Sequence, residues 1–200
     1  MGEGIVANSE KILWVDIKSN ESFEFLISSK NILKYKHHFK PTFSFLSDDE
    51  SYLFSAEGVY KKDLGNFTKQ FDVNLKKGNR SNDGRVDFNG NLWASSMKEN
   101  SREKGEIIFF DKQIQHKFVE KISIPNSICF DKKRNRGYFS DSLQKKIFMF
   151  DMNTYKINNY FETELGEPDG AILDDQGNMH VCIWGQSSIY AVSYTHLRAH

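Results

Sequence analysis

Arg80, Asn82 and Asp83 put a guanidinium, an amide and a carboxylate within four consecutive residues, directly ahead of Gly84. Between them they offer fixed donors, a fixed acceptor and one group that does both, more polar equipment than a plain connection requires. Two readings stand: a loop that carries a site, or a solvated turn in which the Asn and Asp side chains cap their own backbone. The residues that follow are plainer. Asn89-Gly90 favours the positive φ angles of a tight reversal, and Leu92-Trp93-Ala94 then reads as a short strand, so the stretch Arg80 to Met97 predicts a loop running into a hairpin.

The motifs of several common chemistries do not occur. There is no GxSxG elbow, HExxH pair or GxxxxGK[ST] loop. Gly2-Glu3-Gly4-Ile5-Val6-Ala7 satisfies the GxGxxA spacing, but no strand precedes it and an alternating strand follows, so a dinucleotide site is not expected there. His37-His38 sits in a basic patch from Lys34 to Lys40 and reads as a solvated loop. Cys129 and Cys182 form no CxxC and are expected as free thiols buried in strands, the usual state in a reducing compartment.

The 27 basic and 27 acidic side chains are spread along the 200 residues and cancel, so no footprint for nucleic acid or an anionic membrane surface is present. A neutral small molecule or a sugar derivative fits this balance better. No basic segment followed by an apolar one opens the chain, and position 6 is Val where myristoylation would need Ser or Thr. The expected location is cytoplasmic, and no oligomeric state is implied.

What must position any site is a set of strands, because Phe is abundant, Pro scarce, and apolar residues come in short runs. Ile12-Leu13-Trp14-Val15-Asp16, Tyr52-Leu53-Phe54-Ser55, Asn91-Leu92-Trp93-Ala94, Gly137-Tyr138-Phe139-Ser140-Asp141 and Asn178-Met179-His180-Val181 are versions of one unit. Aligning Trp14, Phe54, Trp93, Phe139 and His180 gives spacings of 40, 39, 46 and 41 residues. Second strands follow at Ile107 to Asp111, Lys146 to Asp151 and Ser188 to Tyr190. Such a period, holding about four short strands, is that of a β-propeller blade, and an irregular β-sandwich would not explain the regularity. The chain has room for four to five such units. Residues 1–191 are taken as one partial propeller domain, whereas residues 192–200 resemble the translation of a transposon-end sequencing adapter and are set aside.

Four segments, in order, resemble the senescence marker protein (regucalcin), gluconolactonase and luciferin-regenerating enzyme family. They are Gly2-Glu3-Gly4 with Leu13-Trp14-Val15-Asp16-Ile17; Arg80 to Asp87 with Leu92-Trp93-Ala94 and Met97; Pro125-Asn126 with Tyr138-Phe139-Ser140-Asp141-Ser142; and Pro168-Asp169-Gly170 with Trp184-Gly185. The resemblance implies an all-β, six-bladed β-propeller, here truncated to about four to five blades, with the end of the fifth blade, the sixth and a strand before Glu3 missing. It implies Glu3, Asn126 and Asp169 as ligands of one divalent metal ion, Ca, Zn, Mg or Mn, with positions open for water and substrate. Arg80 and Asn82 match substrate-binding positions, and Asp169 would also be the catalytic general base.

Two departures bear on selectivity. Ile5, Val6 and Ala7 replace the family's common Pro and Trp after Gly-Glu-Gly, and Asn100 stands where some members place an acidic substrate contact, with Glu99 one position earlier. Asn100 is kept as a substrate-binding candidate. The expected activity of the parent protein is metal-dependent hydrolysis of a sugar-acid lactone by a metal-activated water, whereas the 200-residue chain by itself is expected to be inactive or insoluble. The competing reading is a non-catalytic propeller that binds a divalent metal or a partner, or an inactive fragment with unpaired sheet edges.

Overall fold

Short apolar runs separated by Asp, Asn, Gly and Ser turns can satisfy their backbone groups by pairing with the next run, and in this chain they do so in sequence order. The computed structural model describes residues 2–99, 102, 104–163 and 166–192. Among these residues there are nineteen strands and no helix, hence none long and apolar enough to cross a membrane.

The first sheet holds β1 (Glu3–Ala7), β2 (Lys11–Asp16), β3 (Glu21–Leu26) and β4 (Asn31–Lys36), and the second β5 (Phe43–Ser47), β6 (Glu50–Ser55), β7 (Gly58–Asp63) and β8 (Asn66–Phe71). The third holds β9 (Arg80–Val86), β10 (Leu92–Met97), β11 (Gly105–Asp111) and β12 (Ile114–Ile122), and the fourth β13 (Pro125–Asp131), β14 (Arg136–Asp141), β15 (Lys146–Asp151) and β16 (Ile157–Glu162). The fifth has three strands, β17 (Glu167–Leu173), β18 (Met179–Trp184) and β19 (Ser188–Val192). Each strand pairs antiparallel with its chain neighbour in the same sheet, and the leading strands β1, β5, β9, β13 and β17 pack against one another in that order. The described residues thus form five blades of a β-propeller, with Trp14, Phe54, Trp93, Phe139 and His180 each on a second strand as their spacing anticipates.

Residues 80–86 correct the loop expectation. They are the leading strand of blade three, with Arg80 opposite Met97, Ser81 opposite Ser96 and Gly84 opposite Ala94, and Ser81 is fully buried. The polar side chains made this stretch read as a loop, site-bearing or solvated, but in a propeller the leading strand borders the central channel, where polar groups are needed.

Apolar layers between blades hold the stack. Val15, Phe39, Leu53 and Tyr60 form a cluster with residues of blades one and two, Phe43, Phe54, Ala94, Ile108 and Phe110 join blades two and three, and Trp93, Ile107, Ile128, Phe139 and Phe150 join three and four. Cys129, Tyr138, Ile147, Met179 and Val181 join four and five. Each fully buried Phe or Ile contributes about 1.5–3 kcal/mol. Cys182 departs from expectation. Cys129 is buried and its thiol pushed up to about 12, first by desolvation, but Cys182 is exposed. Along β18 the buried Met179, Val181 and Ile183 alternate with exposed Cys182 and Trp184, so one face of blade five, with Ile172 and Ile189, lies open.

Gly84 shows how closely blades two and three approach. A Cβ there would lie 2.2 Å from Phe43 Cζ and 2.6 Å from the Trp93 carbonyl oxygen, and Phe43 is itself fully buried. Gly84→Ala is therefore expected to cost about 2–3 kcal/mol through overpacking, read as a lower urea midpoint at unchanged slope.

His37 is not in a solvated loop either. It is 9% exposed, its Nε2 lies 2.8 Å from Ser22 Oγ, and its ring packs against Phe39 and Phe67. Desolvation, with a smaller contribution from His38, lowers its pKa to about 4. The unfolded chain takes up this proton near 6.5, so between roughly pH 4 and 6.5 the unfolded state binds more protons and stability falls as pH drops. The contribution is complete above the unfolded value. Its loss by pH 4 is worth about 3 kcal/mol, and His37→Gln should flatten that limb of a stability-versus-pH curve measured by urea unfolding.

Candidate functional site

Four of the five leading strands carry the same irregularity near their first residues. Gly4-Ile5 lie opposite Trp14 alone, Asn82-Asp83 opposite Ser95, Ser127-Ile128 opposite Phe139, and Asp169-Gly170 opposite Cys182. Two residues against one is a β-bulge, which re-aims side chains at the end of a ladder. The pairing of β5 with β6 is regular, and no site candidate lies on it. Every candidate on a described strand is in or beside a bulge: Glu3 and Asn126 immediately precede theirs, Asn82 and Asp169 are within theirs, and Arg80 stands two residues ahead of one. Gly4 and Ser127, the first bulged residues of β1 and β13, have φ of 54° and 60°. Glycine takes this conformation freely, whereas serine is strained there and needs tertiary contacts to hold it.

Arg80, Asn82 and Asn126 come together in one hydrogen-bonded line. Arg80 Nη1 donates to Asn82 Oδ1 at 2.9 Å, and Asn82 Nδ2 donates to Asn126 Oδ1 at 2.7 Å and to the Pro125 carbonyl at 3.1 Å. Asn126 Nδ2 continues the line to Ser142 Oγ at 3.0 Å. Arg80 Nε donates to Glu99 Oε1 at 3.2 Å, so the acid beside position 100 reaches this end of the blade. Asn100 itself lies outside the described residues.

Glu3 and Asp169 belong to the same electrostatic neighbourhood. The Glu3 carboxyl is held above the usual range by desolvation first, then by the charges of Asp169 and Asp83, while Arg80 pulls it back. Desolvation also raises Asp169, with the Gly170 backbone N–H working against it. Among the described residues no three His, Cys, Asp or Glu side chains form a metal cluster, and the expected donor set contains two carboxylates and an amide.

Several supporting groups were given no role by the sequence, Asp83 among them although it lies in the candidate site stretch. Asp83 Oδ1 accepts from Gly84 N at 2.8 Å and Oδ2 from Ile128 N at 3.0 Å, which ties blade three to blade four. Its pKa is raised, chiefly by desolvation, and lowered most by that Ile128 bond. Ser95 Oγ lies between Asp83 N, which donates to it, and the Pro125 carbonyl 2.9 Å away. Ser127 Oγ donates to the Asp169 carbonyl, Ser140 Oγ lies 2.9 Å from Ser127 Oγ, and Ser142 Oγ donates to the Pro168 carbonyl at 2.6 Å. The only sequence signals for these were the pairs Glu3-Gly4, Asp83-Gly84 and Asp169-Gly170 and the run Ser140-Asp141-Ser142.

Comparison with known proteins agrees with this architecture. The SMP-30/Gluconolactonase/LRE-like region matches residues 1–196. A Rhizobium meliloti protein named "Putative sugar lactone lactonase" is 29% identical over 149 residues, 68% of this chain and 50% of that protein. Regucalcin of Sus scrofa is 31% identical over 124 residues, 54% of this chain and 41% of that protein, so the chain matches half or less of these relatives' length. The crystal structure of a calcium-binding regucalcin from Agrobacterium tumefaciens superposes with a TM-score of 0.86 at 27% identity, covering 96% of this chain and 70% of the other.

Proposed function

The chain belongs to the SMP-30/Gluconolactonase/LRE-like family, and from that membership we propose that it hydrolyses a sugar-acid lactone, such as an aldonolactone, to the free acid with the help of one divalent cation. The observation that carries the reading is the coincidence of four bulges with the family's candidate residues at the same end of four blades. Glu3, Asn126 and Asp169 would hold the cation. Two carboxylates and an amide oxygen form a hard donor set for Ca²⁺, Mg²⁺ or Mn²⁺, with Zn²⁺ also accommodated. The fit is supported by charge, because the Asp169 carboxylate makes Glu3 harder to ionise, a repulsion that a cation relieves. When bound, such an ion polarises a lactone carbonyl and lowers the pKa of a neighbouring water.

The chain's own groups supply the remaining work. Arg80, its side chain one-third exposed, offers positive charge where negative charge develops on the carbonyl oxygen, and its bonds to Asn82 and Glu99 hold the guanidinium in place. Asn82, Glu99 and, by family position, Asn100 would contact sugar hydroxyls. Asp169 accepts a proton from the attacking water as its oxygen bonds to the carbonyl carbon, and the proton then passes to the ring oxygen as the ester C–O bond breaks. The open face of blade five, with Ile172, Trp184 and Ile189, supports the further reading that the parent ring has six blades.

The test is a panel of sugar lactones in a pH-stat assay on chelator-treated protein, with Ca²⁺, Mg²⁺, Mn²⁺ or Zn²⁺ added back. Turnover that requires a divalent ion is expected. No turnover with any of the four ions, by protein shown to be folded, would sink the proposal.

A further inference from the structure

Building on the reading of Asn126 as a cation ligand, we propose that Ser142 is a positioning residue that selects which end of the Asn126 amide faces the ion. An amide presents an acceptor at one end and a donor at the other, and only Oδ1 can ligate a cation. The hydrogen-bonded line settles the choice because both of its ends are one-way. At one end Arg80 can only donate, so Asn82 turns Oδ1 toward it and Nδ2 toward Asn126. At the other end the Pro168 carbonyl can only accept, so the proton of Ser142 Oγ is committed to it at 2.6 Å. Ser142 Oγ is then left as an acceptor, and Asn126 must aim Nδ2 at it and Oδ1 away from it, at Asn82.

The arrangement is buried, with Asn126 9% and Ser142 3% exposed, so water is poorly placed to substitute for the hydroxyl. Pro168 immediately precedes Asp169, and the same serine therefore also sets the height of a second proposed ligand, on the next blade. Groups that orient ligands in this way commonly change metal affinity 10- to 100-fold when removed.

Titration of the chain with Mn²⁺, following the electron paramagnetic resonance of the free ion, tests this directly and needs no turnover. Wild type should bind one ion, Ser142→Ala about 10- to 100-fold more weakly, and Ser142→Thr, which restores the hydroxyl, within a few-fold of wild type. Ser55→Ala is the control: it removes a buried hydroxyl in blade two that bonds to Gly58 O, and should leave the affinity unchanged. Should Ser142→Ala fail to fold, Ser142→Cys keeps the volume with a poor hydrogen-bonding group and should show the same weakening. Unaltered affinity in Ser142→Ala, or equal weakening in Ser55→Ala, overturns the positioning role alone. A wild-type chain that binds no Mn²⁺ overturns the cation site as well.

Discussion

Asp169→Asn should lower kcat/KM for the lactone by about 10³-fold and weaken the divalent cation by at least about 10-fold, without unfolding the chain. The replacement is isosteric and removes only the charge and the proton-accepting capacity. What anchors residue 169 to blade four is its backbone carbonyl, which accepts from Ser127 Oγ and survives the substitution. Removing the carboxylate also relieves its repulsion of Glu3, so thermal stability of the metal-free protein should hold or rise slightly. Steady-state kinetics at saturating metal separate the two roles. If only the metal requirement shifts while kcat recovers, Asp169 is a ligand and the base lies elsewhere. Full activity at low metal would remove it from both.

Asp87→Ala is expected to cost about 3–5 kcal/mol, a large share of a small domain's stability. Asp87 is 6% exposed and accepts four hydrogen bonds: from Asn89 N at 2.8 Å, Asn91 N at 2.9 Å, Asn91 Nδ2 at 3.1 Å and Trp93 Nε1 at 2.9 Å. The alanine leaves these donors unmatched and frees the turn at Asn89-Gly90 that sets the β9–β10 register. Asp174 repeats the device in blade five, accepting from Gln176 N, Asn178 N and Asn178 Nδ2, with His180 in the place of Trp93. Asp174 is more exposed, so Asp174→Ala should lower the urea midpoint much less. Equal losses at the two positions would show that burial does not set the cost.

The blades were legible because each is a run of hairpins whose period and turn residues lie in contiguous sequence, and the five aligned anchors, Trp14 to His180, all fall on second strands. The bulges were not, since a bulge is a relation between two strands, two residues against one, and only glycines next to acids hinted at it. Arg80, Asn82 and Asp83 read as a loop, site-bearing or solvated, because their polarity was taken without the pairing to β10 that makes them a strand. His37 was misjudged for a similar reason, as its burial depends on Phe67, thirty residues away. The exposure of Cys182 follows from the open face of blade five, which no local pattern marks.

Because every sheet pairs only consecutive segments, each blade can close its own loops early and independently, whereas Glu3, Asn126 and Asp169 lie on three different blades and could share an ion only after those blades have docked. An ion shared by those three would therefore act as a rivet between the beginning and the end of the chain. Its free concentration would enter the unfolding equilibrium directly, tying the melting temperature to site occupancy.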